Sequence, residues 1–187
     1  MDKSYTMEIA GLKRDLPLCP LNENLYIAAF IMFGDVELTV KCAEELLKKA
    51  PQFDVLITAE SKGIPLLYEM ARQSGNNYYV VARKGPKLYM KDVVSTNVDS
   101  ITTAHRQVLC LGSAEAEMMN GKRVLIVDDV ISTGESLAAL ETLVEQVGGN
   151  IVGKMAVLAE GDAIERKDII YLSPLPLFDG EGKPLGQ

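Results

Sequence analysis

The chain has 187 residues, 48% hydrophobic and 24% charged, with 19 Lys and Arg against 26 Asp and Glu for a net charge of −7. That length fills one globular domain without room for a second full one, and the acidity argues against a general nucleic-acid surface, which draws on clustered cations. The longest apolar run, residues 25–33, falls far short of a membrane span, so no membrane partner is expected.

The start of the chain has no charged-then-apolar leader, and an uncleaved soluble protein is expected. Cys19, Cys42 and Cys110 show no Cys-x-x-Cys spacing and lie in apolar surroundings, which reads as buried thiols in a reducing cytoplasm.

The first 34 residues follow no clear periodicity. Asp35 then reads as an N-cap, and Val36, Leu38, Val40, Ala43, Leu46 and Leu47 form a helical stripe that stops at Ala50-Pro51. Lys48 and Lys49 close that helix, where its dipole favours cations. A strand over 53–59, a helix over 64–73 and a strand over 78–82 make a first β-α-β unit. Residues 87–111 alternate Val, Thr, Ser and Ile, predicting two antiparallel strands joined by a mobile loop. A strand over 123–128, a helix over 134–147 stopped by Gly148-Gly149, and a strand over 151–159 repeat the unit, with one more strand predicted over 168–172. The fold class is α/β: a mostly parallel sheet, helices on both faces, and ligands at the carboxyl ends of the strands.

The richest segment is 124–136, Val-Leu-Ile-Val-Asp128-Asp129-Val-Ile-Ser132-Thr133-Gly134-Glu135-Ser136. A buried strand delivers two acids, and a polar loop then opens a helix. Unpaired N–H groups at a helix N-terminus attract phosphate, and Ser132, Thr133 and Ser136 hydroxyls add donors. Adjacent carboxylates repel phosphate, so Asp128 and Asp129 suit sugar hydroxyls or a hydrated magnesium ion. No Gly-Lys-Ser/Thr follows the strand, which excludes a Walker loop. A second strand end, Glu60-Ser61-Lys62-Gly63, offers a helix N-terminus and one ammonium group, and a basic cluster follows at Arg83, Lys84 and Lys87.

These residues resemble the type I phosphoribosyltransferase family, whose motif for phosphoribosyl pyrophosphate (PRPP) matches 124–136. The resemblance implies that Asp128 and Asp129 contact the ribose hydroxyls and that Ser132, Thr133, Gly134, Glu135 and Ser136 hold the 5-phosphate. Ser61, Lys62 and Gly63 resemble the family's pyrophosphate loop, which often contains a strained cis peptide. Residues 82–88 are similar to the Arg-Lys segment of adenine and xanthine phosphoribosyltransferases, implying pyrophosphate contacts from Arg83, Lys84 and Lys87 across a dimer interface. The likeness extends over nearly the whole chain. It implies a single domain: a core over about 35–172, a small hood from about 1–34 and 173–187 that varies most across the family, and a mobile loop over about 88–105. Asn22, Asn24 and Tyr26 fall in that hood.

The implied reaction joins a purine nitrogen, adenine favoured, to C1 of PRPP as pyrophosphate leaves, with Mg2+ carried by the substrate and a homodimer as the assembly. One departure stands out. Adenine phosphoribosyltransferases usually place a Glu after the mobile loop, and the matching region here, 101–107, has no acid. His105, the only histidine, is the candidate acid or base there, against a plain exposed loop histidine, and Asp99 is the nearest carboxylate. The alternative function is a non-catalytic PRPP sensor, as in purine-operon repressors, whose added winged-helix domain 187 residues would not accommodate.

Overall fold

In the computed structural model, which describes residues 4–98 and 107–185, Ala10 and Gly11 both take left-handed backbone, φ 51° and 80°. Such a pair closes a tight hairpin and joins β1 (Ser4–Ile9) to β2 (Leu12–Pro20), where alternating Tyr5, Met7, Leu12 and Leu18 turn toward the core. β3 (Leu25–Ala28) pairs with β2, and from the other end of the chain β11 (Phe178–Asp179) pairs with β3. One small antiparallel sheet thus draws on both ends of the chain.

Asp35 caps α1 (Val36–Lys49) by accepting the Leu38 N–H at 3.0 Å, and the helix ends before Ala50-Pro51. The same carboxylate takes the Arg14 guanidinium from β2 at 2.6 Å, which holds its pKa below the usual range and fastens the small sheet to the helix start. β4 (Val55–Ala59), α2 (Ile64–Ser74) and β5 (Val80–Ala82) follow, with Gly75 ending α2 at φ 78°. An antiparallel ribbon, β6 (Val94–Val98) with β7 (Gln107–Leu111), leads to the short α3 (Ser113–Met119). The second half builds β8 (Arg123–Ile131), α4 (Glu135–Gln146), β9 (Asn150–Glu160), a 3₁₀ turn (Gly161–Glu165) and β10 (Ile170–Leu175).

The main sheet has the order β10-β9-β8-β4-β5 and is parallel throughout. One face packs Leu56, Leu125, Val127 and Met155 against α1, α2 and the small sheet. The other packs Ile57, Val80, Val124, Ile126 and Ala156 against α4, α3 and β7. With both faces covered, the strands read as unbroken apolar runs. Truncating a core side chain such as Leu140 to Ala, with no exposed surface at all, costs about 2–5 kcal/mol.

The predicted elements need four adjustments. β4 and β5 begin later than expected, and Tyr79 packs edge-on against Tyr68 with ring centroids 6.5 Å apart. β8 runs past the two acids, because Val130 and Ile131 continue the ladder opposite Leu158 and Ala159. The last strand lies at 170–175. The hairpin and α3 went unread. Of the loop expected over 88–105, residues 94–98 form β6; His105 and Asp99 lie outside the described residues.

Candidate active site

Two strands meet at the carboxyl edge of the sheet. β8 brings Asp128 and Asp129, β4 hands over to residues 60–63, and residues 132–136 carry β8 into α4. Gly134 caps α4 at φ 82° and forms no side-chain cap. The first turn therefore presents backbone donors at the positive end of the helix. Ser132, Thr133, Gly134, Glu135 and Ser136 line a cleft with Asp128. A side chain at position 134 would also strike Arg166, whose Nη1 lies 2.6 Å from where a Cβ would stand. Arg166 is held there by Asp168, at 2.9 Å through Nε and 2.7 Å through Nη2.

Asp128 and Asp129 have different surroundings. Asp128 Oδ1 accepts the Asp129 N–H at 2.9 Å and the Ser61 hydroxyl at 3.3 Å. Burial, followed by the neighbouring Asp129 charge, pushes the Asp128 carboxyl up to about 8. Asp129 is 4% exposed, and Lys62 Nζ lies 2.9 Å from its Oδ2. The ammonium directs its hydrogen bond elsewhere, to the Phe30 carbonyl at 2.8 Å, and Asp129 Oδ2 has no hydrogen-bond partner among the described residues. The pair with Asp129 is a charge contact, and Lys62 links the acids to the strand leaving β3.

Gly63 is where the two loops touch. A Cβ there would stand 3.0 Å from Thr58 Oγ1 and 3.1 Å from Asp128 Oδ1, tighter than side chains accept. The peptide bonds of this loop are trans: no cis bond occurs among the described residues, unlike the family expectation. The basic cluster is also more committed than its sequence suggests. The Arg83 guanidinium pairs with Glu60 at 3.1 Å and with the Tyr89 hydroxyl, and the Lys84 N–H donates to Glu60 at 2.9 Å. These contacts hold Glu60 below its usual range, the Lys84 N–H first and Arg83 second. The Lys84 side chain is exposed and Lys87 half-exposed.

Residues 37–176 match the family model described as phosphoribosyl transferase domain. The chain belongs to the phosphoribosyltransferase family. That makes it a member of a family of pentosyl-transferring enzymes with the type I phosphoribosyltransferase fold. It is 35% identical to adenine phosphoribosyltransferase of Cenarchaeum symbiosum, over 68% of this chain and 78% of that protein. It is also 32% identical to the purine biosynthesis transcriptional repressor PurR of Bacillus subtilis, over 67% of this chain but 43% of the repressor. In structure it resembles adenine phosphoribosyltransferase from Thermoanaerobacter pseudethanolicus, with a TM-score of 0.63 at 24% identity, covering 75% of this chain and 82% of that one.

Four features of this phosphoribosyltransferase site escaped sequence reasoning. Arg166 and the Phe30 carbonyl reach the site from far along the chain, and neither residue carries a local signal. Thr58 hides a buried hydroxyl, unpartnered among the described residues, behind Gly63. Glu160, the last residue of β9, is half-buried with its carboxyl pKa raised by burial, and Lys62 is the cation that counters the shift. An acid ending a predicted strand next to Gly161 was visible, but only the strand order places it beside β8.

Proposed function

We propose that this phosphoribosyltransferase moves the 5-phosphoribosyl group of PRPP onto a purine base, adenine favoured, releasing pyrophosphate. The observation that carries this reading is the side-chain-free cap of α4 opening beside Asp128, directly across Gly63 from a second anion loop. A ligand with phosphate at one end and pyrophosphate at the other matches that spacing of sites. Residues 132–136 hold the 5-phosphate, and Asp128 and Asp129 accept hydrogen bonds from the ribose hydroxyls. Ser61, Lys62 and Gly63, with Lys84 and Lys87, take the pyrophosphate, and Arg83 acts through Glu60. In the transfer the bond from C1 to the pyrophosphate oxygen breaks, a bond to a purine nitrogen forms, and that nitrogen loses its proton. Fixed dipoles and cations stabilise the departing charge, and the purine proton is the step for which His105 stands as the candidate.

No group of three or more metal-ligating side chains occurs among the described residues. Two carboxylates without a third suit Mg2+ brought in by PRPP and bridged through water to Asp128 or Asp129, rather than a protein cage. Asp128 and Asp129 would hold such an ion through water, and it would supply positive charge against the pyrophosphate. No helix among the described residues is long and apolar enough to cross a membrane; the setting proposed is the cytoplasm. Exposed Val36 and Tyr68 line a groove of about 410 Å³ beside α1 and α2, an apolar face suited to a homodimer.

The test is pyrophosphate release from Mg2+ and PRPP with each purine and pyrimidine in turn. Release with a purine alone is expected. Tight PRPP binding without release would instead favour the sensor reading, which rests on the likeness to the repressor and on the absence of an acid over 101–107.

A further inference from the structure

We propose that Glu160 recognises the amino group of the base and so sets the preference for a 6-aminopurine. The inference rests on the phosphoribosyl site described above and adds the residue that reads the base. The sheet order supplies the first argument. β8, which carries the ribose acids, lies between β4, which leads to the pyrophosphate loop, and β9, which ends at Glu160. A nucleophile that displaces pyrophosphate from C1 approaches from the side away from the leaving group. That is the β9 side.

The second argument is orientation. Leu158 packs with α1, α2 and the small sheet, and Ala159 with the opposite core. Alternation along the strand returns Glu160 to the small-sheet side, where Lys62 stands between Phe30 and Asp129. Above it, Gly161 takes φ 58°, and a Cβ there would meet Leu177 Cδ1 at 3.3 Å. Leu177 leads into β11, so the turn that follows Glu160 lies against the end of the small sheet.

The third argument is chemistry. The Glu160 carboxyl forms no side-chain hydrogen bond among the described residues, whereas Glu60 and Asp35 at comparable strand and helix ends are fully engaged. A half-buried carboxyl oxygen accepts from an exocyclic amino group and opposes a carbonyl oxygen in the same place.

The experiment measures binding of AMP, IMP and ribose 5-phosphate by calorimetry to the full chain, to Glu160→Gln and to Glu160→Ala. The wild type is expected to prefer AMP. Glu160→Gln should reduce the AMP-to-IMP preference by about tenfold or more, because the amide can donate to the carbonyl of IMP. Glu160→Ala should lose the preference without gaining IMP affinity, and ribose 5-phosphate should bind all three alike, reporting an intact fold. A preference unchanged in both variants while ribose 5-phosphate still binds overturns the role of Glu160 alone. Failure of the wild type to bind ribose 5-phosphate or either nucleotide overturns the phosphoribosyl site, and this proposal with it.

Discussion

The two βα loops at the carboxyl edge have the same plan, strand then loop then helix, yet differ in how their charge is met. The loop after β4 is satisfied by the protein: Lys62 lies against Asp129 and bonds Phe30, Ser61 bonds Asp128, and Glu60 is matched by Arg83 and the Lys84 N–H. The loop after β8 has no cation in its own sequence and no side-chain cap at Gly134, and the Arg166 guanidinium that approaches it is tied to Asp168. A loop of the first kind must exchange internal partners to bind an anion; one of the second kind is organised before the ligand arrives. The expected order of events is capture of the 5-phosphate first, followed by rearrangement around the pyrophosphate.

The sharpest way to break this comparison is to remove the acids both loops share. Asp128→Asn with Asp129→Asn should lower pyrophosphate release by about 10²–10³, measured by coupled phosphate detection. Gly134→Ala comes next. Left-handed backbone costs a non-glycine residue about 1–3 kcal/mol, and the contact with Arg166 adds to it, so the KM for PRPP should rise by about 10–100-fold with the loop after β4 untouched. An unchanged KM would show that the second loop is not preorganised.

Proton linkage sharpens the comparison further. With the Asp128 pKa raised to about 8, the folded state binds a proton that the unfolded chain releases near its ordinary value. This contribution to stability is therefore full at low pH and declines as pH rises from the ordinary carboxylate range through about 8. Magnesium-dependent PRPP affinity should run the opposite way, rising by up to tenfold per unit on approach to that value, and Asp128→Asn should flatten both profiles.

Smaller effects concern stability. Lys62→Met leaves the buried Asp129 charge unmatched; because Lys62 is 41% exposed, water shares the pair and the cost is about 1–2 kcal/mol. Thermal melting should fall by roughly 2–4 °C per kcal/mol and recover when Asp129→Asn is added. Glu60→Gln, at a site partly open to solvent, should cost under about 1 kcal/mol while freeing Arg83, seen as a modest change in pyrophosphate affinity with PRPP 5-phosphate contacts intact.

Local chemistry made much of this legible. Asp35, the stripe to Leu47 and Ala50-Pro51 marked α1 within about a residue, because cap, period and stop all act over a few positions. The turn from β8 into α4 was legible for the same reason. The β1–β2 hairpin was not, since its turn, Ala10-Gly11, places an alanine where Asn or Gly would have signalled a left-handed pair. α3 was too short to show a period. Arg83 looked like a free cation because Glu60, its partner, is 23 positions away in sequence and adjacent only once β4 and β5 pair. Glu160 and Arg166 depend on strand order, which pairwise spacing does not encode.

Lys62 has a further consequence for how sequence change spreads through the molecule. Its ammonium joins the segment after β3, at Phe30, to the buried acid Asp129. A change in the N-terminal segment that moves Phe30 is therefore passed to Asp129 through a flexible side chain, which absorbs small shifts by rotating.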